Sequence, residues 1–220
     1  MIWGAVIVGI LVFVALFAPV LAPYDPFKLG IPYIKPCAEH PLGTNDVGQD
    51  LLSELIYGTR VSMFIGIFTA LIVTVLAALL ALVAGYYKGW VDRIVTALTN
   101  VTMGLPSLAL TVLLTAYLSP GKLSMIIAIS LTAWTGTSRI LRSRVVQLCE
   151  MPFVKIEKAI GMNDFVIMVK HILPNLKDII LSRAALSVSS AIMMESSLSF
   201  LGLGSYKEKS WGLILHYAFY

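Results

Sequence analysis

Residues able to do chemistry are few in this chain. Its 220 residues hold three histidines, His40, His171 and His216, and two cysteines, Cys37 and Cys149. None of them falls into a CxxC or a Cys/His cluster of metal-ligand spacing, so no metal site is expected. There is no Gly-x-Ser-x-Gly nucleophile turn and no His-Glu-x-x-His zinc motif, and the chain is not expected to be an enzyme. A P-loop is missing too, so the chain is not expected to hold ATP as a cofactor, and energy, if needed, comes from a partner. One polar group is out of place: Glu195, an acid inside an apolar stretch, beside Ser196, Ser197 and Ser199. Such an acid is costly in lipid and faces a bundle interior or a water-filled path. Glu195 and Ser197 are therefore candidates either for lining such a path or for polar contacts inside the bundle. The second reading weighs more, with Glu195 hydrogen-bonded to a neighbouring helix and the serines allowing close packing. Arg183, about three turns earlier at about 1.5 Å per residue, is too far along the same helix to pair with it.

The elements that position this acid are set by lipid. Of the residues, 58% are apolar and only 13% charged, and the mean hydropathy is +0.88, which argues against a soluble fold. Residues 1–24, 61–87 and 94–121 contain no Asp, Glu, Lys or Arg, and about 20 such residues span the hydrocarbon as a helix. Two weaker candidates follow at 123–138 and 179–203, the latter interrupted by Arg183 and Glu195, for five spans in all. The first, residues 2–21, is kept as a helix rather than a signal peptide because it lacks a charged leading region. Pro106 lies within the third span and is expected to kink it.

Charge sets the expected orientation. Seven basic residues lie between Arg139 and Lys177, while the 25–60 segment has three in 36. The positive-inside rule places the first of these loops in the cytoplasm and the second outside. That outer segment opens with a proline-rich stretch and is expected to turn into a short amphipathic helix over 46–56, which runs into the second span. The inner loop divides into a basic stem, a short helix and a re-entry helix. Pro152 permits a start, and Phe153, Ile156, Ala159 and Ile160 fall on one face. Gly161 is placed as the C-terminal cap, and Asn163 or Asp164 begins the next helix, which Pro174 is expected to break. A short helix, apolar on one face and charged at its rim, needs either a partner's groove or the surface of the inner leaflet. Periodicity alone leaves both open.

Four segments carry a resemblance: Leu21-Ala-Pro-Tyr-Asp-Pro26; His40-Pro-Leu-Gly-Thr-Asn-Asp46 continuing to Ser62; 153–175 with Ala159-Ile-Gly161 and His171-Ile-Leu-Pro-Asn175; and 195–204. In this order the chain resembles the permease subunits of dipeptide, oligopeptide and nickel ABC importers, binding-protein-dependent inner-membrane components. The resemblance implies an all-α polytopic membrane helix bundle of the MetI-like permease fold, five spans present and a sixth missing, in a multi-pass cell-membrane protein. Residues 1–60 would be the first helix and the outer loop, and 61–220 the permease core with a coupling loop at 139–178. By the same resemblance the partners are a second permease subunit, two cytoplasmic ATPases and an extracytoplasmic binding protein, and no nucleic acid. The ATPase-coupling residues would be Phe153, Lys155, Ile156, Glu157, Ala159, Gly161 and Asp164. The family pattern has Glu-Ala-Ala six, five and four residues before the glycine, where this chain has Lys155, Ile156 and Glu157. Lys155 reverses the charge of the first. That departure and the missing helix leave a second expectation, a truncated, non-transporting interaction or assembly protein derived from a permease.

Overall fold

The computed structural model describes residues 2–119, 121–205 and 207–219, and among them the regular elements are helices. In chain order they are α1 (Ile2–Leu21), α2 (Leu51–Tyr87), α3 (Gly89–Gly104), α4 (Ser107–Tyr117), α5 (Lys122–Cys149), α6 (Pro152–Ala159), α7 (Asp164–Val166), a π-helical turn (Ile167–Ile172), a 3-10 turn (Leu173–Leu176), α8 (Lys177–Phe200) and α9 (Trp211–Phe219). The all-helical expectation holds. Two helices, Leu51–Tyr87 and the continuous Asp164–Phe200, are long and apolar enough to cross a membrane; α3 with α4 makes a third if the bent pair is one span. Sequence reading counted five. α1 is a 20-residue helix without a charged residue, as expected of the first span, and in α5 the apolar run gives way to Thr132, Thr135, Gly136, Thr137 and Ser138 before reaching Arg139.

Three expectations change in detail. The third span is divided at Leu105 and Pro106, where the two halves meet at 94°. A proline lacks the N–H that would continue the ladder, and here the result is a break rather than a kink. The 46–56 amphipathic helix starts only at Leu51. Upstream, the Asn45 side chain accepts from the N–H groups of Val47 (3.1 Å) and Gln49 (2.9 Å), and Gly48 has φ +81°, so the backbone is held in a turn. Pro174 does not end a helix. The chain runs from Asp164 to Phe200 without interruption because the wider π turn before the proline and the tighter 3-10 turn around it take up the missing hydrogen bond.

The chain forms two compact units. The first comprises residues 1–67, 115–126 and 190–220. In it, Asp50 caps α2, accepting from the Ser53 N–H (2.8 Å) and hydroxyl (2.7 Å), the arrangement favoured at a helix N-terminus. Burial opposes ionisation of Asp50, but these bonds and the nearby His40 outweigh it and hold its pKa below the ordinary carboxylate value. Lys209 is buried and lies 2.6 Å from Glu54, itself buried. A Cβ on Gly212 would come within 2.5 Å of the Ser196 carbonyl oxygen, so α9 lies against α8 at a separation only glycine permits.

The second unit comprises residues 68–114 and 127–189. Its larger core joins Leu82 and Tyr86 of α2, Val145 and Leu148 of α5, Val154 of α6 and Ile167, Ile172 and Leu176. Gly85 lets α2 and α5 approach, since a Cβ there would sit 2.8 Å from Val145 Cβ. Asp92 of α3 pairs with Arg142 of α5, and Arg139 donates to Asn100 at 2.8 Å.

Candidate functional site

Within the second unit, α6 is a short helix whose two ends are set by local chemistry. Pro152 occupies its first turn, where a missing N–H costs nothing. At the other end the Gly161 N–H donates to Lys158 O (3.1 Å) and the Met162 N–H to Glu157 O (3.0 Å). With Gly161 at φ +78°, this is a Schellman termination. Asn163 caps the following turn, its side chain accepting from the Phe165 N–H at 2.9 Å.

One face of α6 is fastened to the unit. Val154 is fully buried in the core. The Lys158 ammonium lies 4.0 Å from the centre of the Tyr86 ring, whose hydroxyl donates to Asp164 at 2.5 Å. Glu157 Oε1 is 2.7 Å from His171 Nδ1. Lys155 reaches back to Glu150 (3.1 Å), whose other oxygen accepts from Lys88 at 2.7 Å. The hydrogen bonds from Lys88 and then Lys155 depress the Glu150 pKa to about 2, while the same bond raises that of Lys88. The charge reversal at 155 is partly offset within the chain, where one carboxylate sits between two ammonium groups.

The other face has no partner among the described residues. Phe153, Ile156 and Ile160 point outward, Ile156 with 61% and Ile160 with 71% of their surface exposed, and Phe165 beyond the cap is 67% exposed. Ala159 is exposed as well. The apolar stripe read from periodicity is therefore the outward face, and the side that holds the helix in place is Val154 with charged neighbours. An apolar face left open on a helix pinned from behind is an arrangement for receiving another surface.

Glu195, in the first unit, is fully buried. Its Oε2 accepts from the Ser62 hydroxyl of α2 (3.1 Å) and its Oε1 from Ser199 (2.7 Å). Ser62 also accepts the Trp211 N–H at 3.2 Å, so one acid ties α2, α8 and the start of α9. Ser197 takes no part; its hydroxyl donates to Met193 O within its own helix. Sequence reading missed Ser62, Val154, Tyr86 and Lys88 as partners. Ser62 is 133 residues from Glu195, and only the fold brings the two together.

Known proteins match over most of this length. The model for the N-terminal TM domain of oligopeptide transport permease C matches residues 1–43, and that for the binding-protein-dependent transport system inner membrane component matches 74–210. The chain is 35% identical to the dipeptide transport system permease protein DppC of Bacillus subtilis over 214 residues, which is 96% of this chain and 67% of the relative. It is 32% identical to the oligopeptide permease OppC of the same organism, over 95% of this chain and 70% of the relative. Identity is 30% to the glutathione permease GsiD of Pectobacterium atrosepticum, over 95% and 71%. The second match takes in α6 with its open face and Glu195 with its serines, and with these the chain belongs to the family of binding-protein-dependent transport inner-membrane components, the permeases of ABC importers.

Proposed function

We propose that this chain is a permease subunit of an ATP-driven importer of dipeptides or oligopeptides, lying in the cytoplasmic membrane and forming half of a translocation path with a second permease subunit. The observation that carries the reading is the open face of α6. Phe153, Ile156 and Ile160 offer apolar surface while Val154, Lys158 and Glu157 hold the helix from behind. A docking helix needs both properties, because a helix free to swivel would absorb a push rather than pass it on. The occupant of the open face is a cytoplasmic ABC ATPase, one on each permease subunit, and ATP is bound there and not in this chain. Covalent continuity from Asp164 to Phe200 gives a displacement of α6 and α7 a direct route into α8.

The peptide cargo is supported by the names of the relatives, a dipeptide, an oligopeptide and a glutathione permease. Delivery by an extracytoplasmic binding protein is supported by the description of the matching family as binding-protein-dependent. Within this reading Lys155 is a positioning residue. Its ammonium shares Glu150 with Lys88, so the reversed charge is partly offset within the chain. The test is reconstitution of the chain with its operon's second permease, ATPases and binding protein in proteoliposomes. ATP-dependent uptake of a labelled dipeptide is expected; stable assembly without uptake of any peptide refutes the cargo assignment, and absence of ATPase from the assembled complex refutes the coupling assignment.

A further inference from the structure

A cavity of about 360 Å³ in the first unit is lined by none of the α6 residues. Small-molecule sites run from roughly 300 to 1,000 Å³, so its size suits one small ligand. Four cationic side chains line it: Arg60, Lys122, Lys207 and Lys209. Two of them are committed. Lys209 lies 2.6 Å from Glu54 and donates to Gln49 at 2.7 Å, and Lys122 lies 2.7 Å from Glu208 Oε1. Arg60 and Lys207 are exposed, and neither side chain has an ion-pair or hydrogen-bond partner among the described residues. The cavity therefore carries an unbalanced positive charge.

It also holds an unmet acceptor. Glu208 lines the cavity, and its Oε2 is buried without a hydrogen-bond partner, an expensive condition for a carboxylate oxygen that a ligand's donor relieves once the side chain turns toward the cavity. Apolar wall is provided by Phe27, Tyr57 and Phe64. Two free cations, one free carboxylate oxygen and aromatic surface in one small space are complementary to a zwitterion bearing an apolar side chain. A guanidinium offers paired donors to a carboxylate, and a carboxylate oxygen accepts from an ammonium.

We infer that this cavity binds a short peptide by its free termini, with Arg60 and Lys207 on the α-carboxylate, Glu208 on the α-ammonium and the aromatic residues against the side chain. The choice of a peptide as the zwitterion rests on the peptide-permease reading. Recognition of both termini would make the permease itself selective for short, unblocked peptides, in addition to any selection by a delivering protein.

The experiment measures binding of alanyl-phenylalanine, its C-terminal amide and its N-acetyl form to the chain in lipid nanodiscs by calorimetry. The wild type is expected to prefer the free acid over the amide by about tenfold, the worth of one charge-assisted hydrogen bond. R60Q should remove most of that preference, and E208Q should narrow the gap between the free amine and the N-acetyl form. K35Q, which removes an exposed lysine outside the cavity, should change neither. Equal affinity of the wild type for acid and amide, or retention of the preference in R60Q, overturns the inference. Acid-selective, Arg60-dependent binding in a chain whose assembled complex imports no peptide would support the cavity and refute the permease reading. Uptake without Arg60-dependent selectivity would do the reverse.

Discussion

Replacing Glu195 by alanine is the sharpest perturbation of the first unit. The carboxylate is fully buried and accepts from Ser62 at 3.1 Å and Ser199 at 2.7 Å. Alanine removes both bonds, leaves two hydroxyls short of an acceptor and opens a void between α2 and α8. Interhelical hydrogen bonds in membrane bundles average about 0.6 kcal/mol and reach about 1.7. With the void added, E195A is expected to cost about 2–4 kcal/mol. E195Q keeps an acceptor and nearly the same shape, so its cost is expected to be about 1 kcal/mol or less. The assay is reversible unfolding in mixed micelles of mild detergent and dodecyl sulfate, with S62A and the double variant completing a thermodynamic cycle. A coupling of about 0.5–1.7 kcal/mol between positions 62 and 195 is expected. Wild-type stability in E195A, or additivity of the two single losses, would refute the reasoning. Uptake should survive in E195Q, since the structure uses this residue to hold helices together; a transport defect in a fully stable E195Q would place Glu195 on the cargo path instead.

Other consequences follow from the same geometry. K209M leaves the buried Glu54 carboxylate without its counter-charge, with only the Asn45 amide donating to it at 3.2 Å, and should cost about 3–5 kcal/mol, whereas K209M with E54L should recover most of it, as read by the same unfolding assay. G212A puts a methyl group against the Ser196 backbone, which cannot yield as a flexible side chain would, and should lower stability by about 1–3 kcal/mol. The Lys88–Glu150–Lys155 bridge has a defined pH window. Because the Glu150 pKa is depressed to about 2 from its ordinary value of about 4.3, the contribution of the bridge is complete above the unfolded value and is lost as pH falls through the folded one. A carbon-detected titration of the Glu150 carboxyl should show no midpoint between about pH 3.5 and 8, and an ordinary midpoint of about 4.3 would mean that the bridge does not form in solution.

What the sequence could reveal divides along the range of the interactions. The ends of α6 were legible because Pro152, Gly161 and Asn163 act on their own backbone within a few residues. The stripe of Phe153, Ile156 and Ile160 was legible as a stripe, but its direction was not. Which side faces the unit is decided by Val154 joining a core with Leu82, Tyr86 and Leu176, which only the fold brings to it. Pro174 was expected to break a helix, and a π turn absorbed it, since the cost of a proline depends on whether neighbouring turns can widen. Asp50 displaced Asp46 as the start of α2 because Asn45 holds the intervening backbone in a turn. The need of Glu195 for a partner was evident from the cost of a buried acid, yet Ser62 could be named only once α2 and α8 were folded together. The Glu54–Lys209 pair left no sequence signal: each is an ordinary charged residue until both are buried.

The central claim, that the outward face of α6 receives an ATPase, is tested most directly by the affinity of the cognate ATPase for the chain in nanodiscs with and without I156E. Ile156 has 61% of its surface available to be covered, so docking should gain about 1–2 kcal/mol from it, or roughly five- to thirtyfold in affinity. I156E is predicted to weaken binding by at least about tenfold while the unfolding midpoint of the chain stays at the wild-type value. Unchanged affinity in I156E, or no measurable binding of the ATPase to the wild type, would contradict the account.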